Sequence, residues 1–181
     1  ALTDLKSQGA TKLILDLRGN PGGLLTEAVN IVNLFVPKGE PIVTTKSAVK
    51  KYNKTYKTQK TAFDLEIPLV VLVNGRSASA SEIVSGGLQD LDRAVIIGAR
   101  SFGKGLVQRE MDLGDGSAIR LTTSRYYTPT GRSIQRSYAK GSEAYYDAYY
   151  ERMEDRADDS LQGNIGDKQD WDSFTSLGTS D

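Results

Sequence analysis

The sequence predicts an α/β fold. Three short apolar runs, at residues 13–17, 69–73 and 94–98, have the length and composition of buried strands. The first two are each followed by a loop and then by apolar residues at helical spacing, which predicts helices over 24–36 and 79–90. Parallel strands joined in this way are expected to be buried on both faces of their sheet.

The remaining elements are hairpins and a terminal helix. The lysine-rich stretch 42–63 alternates weakly, which predicts an exposed hairpin or flap. Residues 106–113 and 117–126 alternate around residues 114–116, Gly-Asp-Gly, which predicts a second hairpin. The apolar spacing at the start of the chain predicts that residue 1 already lies within a helix, so we expect a longer protein whose targeting segment lies upstream.

The composition changes near residue 136. We expect residues 1–136 to form one compact core and residues 137–181 to form an acidic extension. Within this extension, the pattern over 142–156 predicts an amphipathic helix. Residues 157–181 are polar and acidic, so we expect a loosely held tail.

Composition excludes several classes of function. Lysine plus arginine and aspartate plus glutamate number 23 each, so no overall charge favours nucleic acid. No apolar run approaches the ~20 residues of a membrane span. The chain has no histidine and no cysteine, which excludes a Ser-His-Asp triad or a Cys-His pair within it. Lysine is therefore the strongest candidate for a base in any hydrolytic chemistry.

Ser79 is the candidate nucleophile. Residues 77–82 read Ser-Ala-Ser-Ala-Ser-Glu and follow a predicted strand, so Ser79 falls at the first turn of a helix. Unpaired N–H groups there favour the negative charge that develops when a serine attacks a carbonyl. A capping box formed by Ser79 and Glu82 is the structural alternative.

Lys104 is the candidate base, and it lies between Gly103 and Gly105. The segment 98–104 matches most of a phosphate-binding loop, but the next residue is glycine where Ser or Thr would hold magnesium. The pair Ser101 and Lys104 has the spacing of penicillin-recognising enzymes, but its glycines make a poor helix. A lysine acts as a base only when its amine is neutral, so we expect Lys104 to be buried.

Two glycines are candidates for stabilising an oxyanion. Gly22 and Gly23 stand between a predicted strand and a predicted helix, where backbone N–H groups can face a developing negative charge. With the N–H of Ala80, Gly23 would complete a two-donor oxyanion hole. A simple left-handed turn is the alternative for these glycines.

Three motifs in order resemble the carboxyl-terminal processing proteases, which are serine peptidases with a Ser-Lys dyad. The motifs are Asp-Leu-Arg-Gly-Asn-Pro-Gly-Gly at 16–23, the serine-rich turn at 77–82, and Phe-Gly-Lys-Gly at 102–105, followed by Gln108. The resemblance implies a crotonase-like α/β core of ββα-type repeats. It also implies that Ser79 is the nucleophile, Lys104 the base, and Gly23 and Ala80 the oxyanion-hole donors.

The resemblance further implies that Gln108 orients the Lys104 amine. In a straight strand these two residues would lie about 13 Å apart, so we expect a sharp bend at Gly105. The implied substrates are proteins or peptides with unstructured C-termini, and no metal or organic cofactor is implied. Family members carry an upstream PDZ domain and act mainly outside the cytoplasm, which implies a location in the bacterial periplasm or envelope. A non-catalytic module that binds a ligand or peptide on the same scaffold is the alternative function.

Overall fold

The computed structural model describes residues 1–147 and residue 150. Contacts divide the chain into the units Ala1–Tyr145 and Tyr146–Asp181, and the fold below is that of the first unit. Only part of the helix predicted over 142–156 lies within the described residues, and there residues 141–147 and residue 150 are helical. The tail predicted over 157–181 lies outside the described residues.

The order of elements matches the sequence prediction. The helices and strands run in chain order as follows: α1 Leu2–Ser7, β1 Leu13–Asp16, α2 Leu25–Asn33, β2 Pro41–Lys46, β3 Lys54–Lys57, β4 Leu69–Val73, α3 Ala80–Asp90, β5 Val95–Gly98, β6 Leu106–Asp112 and β7 Ala118–Tyr127. The predicted helix over 24–36 ends earlier than expected, because residues 34–36 form a turn. Both predicted hairpins are present, but the first is not exposed throughout, because Ile42, Val43 and Thr45 of β2 are buried.

The three predicted parallel strands form one sheet in the order β1-β4-β5. Leu15 lies opposite Val71, and Val71 lies opposite Ile96. One face of this sheet joins the core formed with α2 and α3, where Val71, Val32 and Leu88 are fully buried. The β-loop-α order therefore places both following loops at the carboxyl ends of neighbouring strands.

The expectation that these strands are buried on both faces is wrong for β1 and β5. On the face opposite the helices, Ile14, Val95 and Ile97 are 37–50% exposed. The physical reason is position: β1 and β5 are the edges of a three-stranded sheet, and α2 and α3 cover one face only among residues 1–147. The central strand β4 is the one that is buried on nearly all positions.

A second, antiparallel sheet has the order β3-β2-β7-β6. Ile42 and Val43 of β2 and Tyr126 of β7 are buried in the core. A Cβ atom on Gly87 of α3 would lie 3.2 Å from Ile42, so the absence of a side chain lets the helix approach this sheet closely. Among the described residues, no helix is both long enough and apolar enough to cross a membrane.

We predict that the interface between α3 and the sheets dominates stability. Leu88→Ala removes a side chain that is fully buried, so it should lower the free energy of unfolding by about 2–5 kcal/mol. Leu113→Ala is the matched control, because Leu113 is 55% exposed and its loss should change the free energy of unfolding by less than about 0.5 kcal/mol. Urea unfolding followed by circular dichroism measures both, and equal effects would contradict this account of the core.

Candidate active site

Ser79 occupies a strained position between β4 and α3. It is the N-cap of the helix, with φ 56° and ψ −115°. A positive φ costs a residue with a side chain about 1–3 kcal/mol, and such strain is retained where the surrounding structure fixes it. The side chain is half-buried. The sequence predicted the strand, turn and helix, but it gave no sign of this backbone conformation.

The neighbouring serines hold the turn to the loop that follows β1. The Ser77 hydroxyl donates to the Leu17 carbonyl oxygen at 2.7 Å, and the Ser81 hydroxyl donates to the Asn20 carbonyl oxygen at 3.1 Å. The Ala78 N–H donates to the same Asn20 carbonyl at 3.0 Å. The serine-rich motif therefore contains two buried structural serines on either side of Ser79.

Gly22 makes the closest approach to the Ser79 turn. It has φ +91°, and a Cβ atom there would lie 2.5 Å from the Ala78 oxygen and 2.6 Å from the Ala80 nitrogen. Only glycine allows this contact. Gly22 thus has the left-handed backbone of a turn, and that backbone brings the 22–23 loop against the Ser79 turn. The role of the glycine pair in stabilising an oxyanion stays a prediction.

Gly23 and Ala80 line one small cavity beside this contact. Its volume is about 150 Å³, and its walls are mainly apolar: Leu17, Leu24, Ala28, Ile31 and Val84. Within residues 1–147, neither the Gly23 N–H nor the Ala80 N–H donates a hydrogen bond. The structure therefore brings these two predicted donors to the border of a single concave site.

Glu82 connects the two halves of the site. Its side chain is 4% exposed and accepts four hydrogen bonds. Oε2 accepts the N–H of Ser79 at 2.8 Å and that of Lys104 at 2.9 Å. Oε1 accepts the Ser101 hydroxyl at 2.7 Å and the Gly103 N–H at 2.6 Å. The backbone nitrogens of Ser79 and Lys104 therefore both lie within 2.9 Å of one oxygen atom.

This role of Glu82 goes beyond the capping box expected from the sequence. The bond from the Ser79 N–H is the part of a capping box that the spacing of residues 79 and 82 predicts. The three bonds to residues 101–104 are long-range and left no pattern in the sequence. Residue spacing carries information about one helical turn, but not about a loop that returns some twenty residues later.

The glycines around Lys104 are explained by packing on their other side. A Cβ atom on Gly103 would lie 2.8 Å from the Arg136 Cβ, and one on Gly105 would lie 2.3 Å from the Gln135 nitrogen. The Arg136 N–H donates to the Gly103 carbonyl oxygen at 3.0 Å. The Lys104 loop is thus held between Glu82 and residues 135–136.

The expected burial of Lys104 is wrong within the described residues. Its side chain is exposed. The loop backbone packs against Glu82 on one side and against Gln135 and Arg136 on the other, and neither contact covers the lysine side chain. The structure therefore fixes the backbone of Lys104 without enclosing its amine.

Gln108 does not reach Lys104 in the described part of the chain. It lies on β6, opposite Thr122, with an exposed side chain and no hydrogen bond to the lysine among residues 1–147. The glutamine that does contact the Lys104 loop is Gln135, whose Oε1 accepts the Gly105 N–H at 2.9 Å. Gln135 was missed from the sequence because it follows β7 and has no spacing relation to the motif.

Asp90, at the end of α3, is structural. Its carboxylate accepts the N–H and the hydroxyl of Thr130 at 3.0 and 2.5 Å and pairs with Arg132. Burial alone raises the pKa of the Asp90 carboxyl. Hydrogen bonds from Thr128, Thr130 and Arg132 outweigh that effect, so its pKa lies below the ordinary 3.8.

No group of three or more His, Cys, Asp or Glu side chains within the described residues is placed to hold a metal ion. The groups that the site itself presents are the hydroxyl of Ser79, the amine of Lys104 and the backbone N–H groups of Gly23 and Ala80. A hydroxyl, an amine and two N–H donors are a set suited to acyl transfer.

Comparison with known proteins gives consistent matches over this part of the chain. The model of peptidase family S41 matches residues 1–141. A carboxy-terminal-processing protease of Bartonella bacilliformis is 52% identical over 141 residues, which is 75% of this chain and 32% of that protein. The chloroplastic C-terminal processing peptidase of Tetradesmus obliquus is 42% identical over 136 residues, which is 75% of this chain and 29% of that protein.

A solved structure also matches. The photosystem II D1 C-terminal processing protease superposes with a TM-score of 0.68 at 42% identity, covering 75% of this chain and 34% of that one. The chain thus spans about a third of the length of the relatives that it matches.

We predict that Glu82 is required to hold the Lys104 loop. Glu82→Gln replaces one acceptor oxygen by an NH₂ group, which leaves buried donors without an acceptor and should cost about 3 kcal/mol in free energy of unfolding. Amide hydrogen exchange at residues 103 and 104 should accelerate in the same variant. Glu110→Gln is the control, since its carboxylate is exposed and its loss should change stability by less than about 0.5 kcal/mol. Unchanged exchange at residues 103 and 104 would contradict the role of Glu82.

We predict an acid-dependent contribution from Asp90. A carboxyl whose pKa is lowered on folding stabilises the protein above its unfolded value of 3.8, and the contribution is lost as the pH falls below that value. Asp90→Asn should therefore cost about 1–2 kcal/mol at pH 7. The difference between wild type and variant, measured by urea unfolding, should shrink between pH 6 and pH 3. A difference that grows as the pH falls would show that the sign is wrong.

Proposed function

The chain belongs to peptidase family S41 and is a serine-type peptidase by that membership, and we propose that Ser79 and Lys104 form its catalytic dyad. The observation that carries this proposal is the shared contact with Glu82. One buried carboxylate binds the backbone of the candidate nucleophile and the backbone of the candidate base. Because this chain has no histidine or cysteine, a lysine is the candidate base within it.

The proposed reaction proceeds through an acyl-enzyme. Ser79 Oγ forms a bond to the carbonyl carbon of the substrate, and its proton passes to Lys104 Nζ. The carbon–nitrogen bond then breaks as Lys104 returns that proton to the leaving amine. Water attacks the acyl-enzyme, gives its proton to Lys104, and the released serine recovers a proton from the lysine. Atoms and protons balance over the two steps.

The oxyanion is assigned in this proposal to the N–H groups of Gly23 and Ala80. Support comes from their position at the same cavity and from the absence of an acceptor for either group within residues 1–147. Loss of one such donor reduces the rate by about two to three decades in serine hydrolases. That Gln108 orients the Lys104 amine stays a prediction. The Gln108 side chain is exposed and forms no hydrogen bond with Lys104 among the described residues.

For Lys104 to act as a base, its amine must be neutral and shielded from water. We assign that shielding to the bound substrate together with the remainder of the protein, since the matched region is only 32% of the length of the Bartonella relative. The same proposal includes three features of the full-length protein. They are an upstream PDZ domain, a crotonase-like arrangement of ββα-type repeats and a location outside the cytoplasm. The proposed substrates are unstructured C-terminal regions of proteins, in line with the relatives' names.

The dyad is tested by substitution in the full-length protein. Ser79→Ala and Lys104→Met should each reduce degradation of casein by at least about a thousandfold, because each removes a group that takes part in bond making or proton transfer. Lys38→Met is the control, as Lys38 is an exposed lysine after α2 and should retain wild-type turnover. Circular dichroism checks that all variants are folded. Wild-type turnover in Lys104→Met would refute the mechanism, and an inert wild type would favour the non-catalytic binding module.

A further inference from the structure

Strand β7 has two edges: one is paired along nearly its whole length, and the other is paired along only a short part. On one side it pairs with β6 from Ala118 to Arg125. On the other side it pairs with β2 at three positions only, from Arg125 to Tyr127. Residues 118–124 therefore present an edge without a partner strand in the described part of the chain. Such an edge is a ready template for another extended chain.

The edge is open because β2 turns away from β7 after Lys46. The Ser47 N–H donates to Asn53 Oδ1 at 2.7 Å, which starts the turn into β3. The space left beside β7 has a volume of about 350 Å³ and is lined by residues 46–48, residues 122–125 and Tyr127. We call this space the β7 groove.

Two cations face each other at the end of the β7 groove. Lys46 and Arg125 are direct partners in the antiparallel register, a position where like charges destabilise a sheet. Both side chains are exposed, and neither forms an ion pair with any described residue. The Lys46 ammonium lies 4.7 Å from the centre of the Tyr127 ring, which keeps it on the same face as Arg125. A carboxylate between these two cations would remove the repulsion.

The segment that follows Lys46, on the β2 side of the groove, has the same sign of charge. Residues 46–60 contain six lysines and no acid. All six lysines are exposed: Lys46, Lys50, Lys51, Lys54, Lys57 and Lys60. This one-sided charge favours an acidic chain as the occupant of the groove over a neutral or basic one.

The strand that follows the candidate base lies across β7 from the β7 groove. Arg125 pairs with Leu106, two residues after Lys104. The Tyr126 N–H donates to the Gly105 carbonyl oxygen at 2.8 Å. A chain added at the open edge would therefore lie on the far side of β7 from the Lys104 loop, one strand away from it.

We propose that the β7 groove binds an extended segment of the substrate as an added strand, with a carboxylate of that segment between Lys46 and Arg125. Main-chain hydrogen bonds to β7 supply sequence-independent affinity, and the two cations supply a preference for acid a few residues from the scissile bond. The identification of the occupant as substrate rests on the proposed peptidase function. The carboxylate comes either from an acidic side chain or from the chain terminus.

Binding is measured apart from cleavage, in the full-length protein carrying Ser79→Ala. The probes are fluorescein-labelled octapeptides of alternating threonine and valine, followed by fluorescence anisotropy. One peptide has a central glutamate and an amidated C-terminus, a second has glutamine in place of the glutamate, and a third has glutamine with a free C-terminal carboxylate. A Kd about fivefold lower for the first or the third peptide than for the second supports the proposal and shows which source of carboxylate is used.

The two cations are tested in the same background. Lys46→Gln and Arg125→Gln together should remove the fivefold preference and leave the Kd of the glutamine amide peptide unchanged. Lys57→Gln is the matched control, because Lys57 is an exposed lysine on the neighbouring strand β3 but does not line the groove. Arg125→Glu should remove the preference and raise Tm by about 1–3 °C, since it replaces a like-charge pair by an opposite-charge pair.

Strand addition has its own signature. N-methylation of alternate backbone nitrogens of the glutamate peptide should weaken binding in one register and spare it in the other, because successive N–H groups of a strand point to opposite sides. Equal tolerance of both registers would overturn strand addition. Three results would overturn the carboxylate site. The preference for the carboxylate peptide could be lost equally in Lys57→Gln, or it could survive in the variant that lacks both Lys46 and Arg125. The third such result is a lower Tm in Arg125→Glu. Failure of the peptidase assay with these binding results intact would refute the proposed function alone.

Discussion

The geometry of the candidate site depends on one buried carboxylate. Glu82 belongs to the first turn of α3, so its backbone is fixed by the helix that begins at Ser79. Its side chain accepts hydrogen bonds from the Ser79 turn and from the loop 101–104, which are more than twenty residues apart. Burying a carboxylate is costly unless its oxygens are hydrogen-bonded, and here four donors meet that requirement. The same bonds that stabilise the carboxylate therefore determine where the nucleophile and base candidates stand.

The glycines of the site follow from close approach of backbones. Gly22 lies against the Ser79 turn, and Gly103 and Gly105 lie against residues 135–136, at distances where a Cβ atom would overlap a neighbour. These contacts hold the two loops from the sides that Glu82 does not reach. Packing of the scaffold therefore requires glycine at these positions. The backbone conformation of the candidate site is a consequence of that packing. Ser77 and Ser81 serve the same purpose with hydroxyl groups.

The elements of the fold could be predicted from the sequence because each has a local signal. The apolar run of β4, the helical spacing of α3 and the glycine turn between β6 and β7 all lie within about ten residues of chain. The candidate site was predictable to the extent that its motifs are local, which is why the sequence indicates Ser79, Lys104 and the glycine pair as candidates. Gln135 and the long-range bonds of Glu82 were not predictable, because contacts across the two sheets leave no periodic pattern. The exposure of Lys104 escaped prediction for the same reason: flanking glycines indicate a constrained backbone, but they do not show which side chains cover it.

The position of the site between the two sheets bears on the kind of substrate that fits. The Ser79 turn follows the central strand of the parallel sheet and borders the apolar cavity at Gly23 and Ala80. The Lys104 loop leads into β6, which pairs with β7 on the edge opposite the β7 groove. On the proposed function, a chain that occupies both places passes the dyad in an extended conformation, with its backbone N–H and C=O groups free to pair with β7. In a folded protein those groups are already paired within helices and sheets, so such a segment must first be unfolded. An unstructured C-terminal region meets this requirement without that cost, so the proposed preference for disordered tails would have a physical basis in this part of the protein.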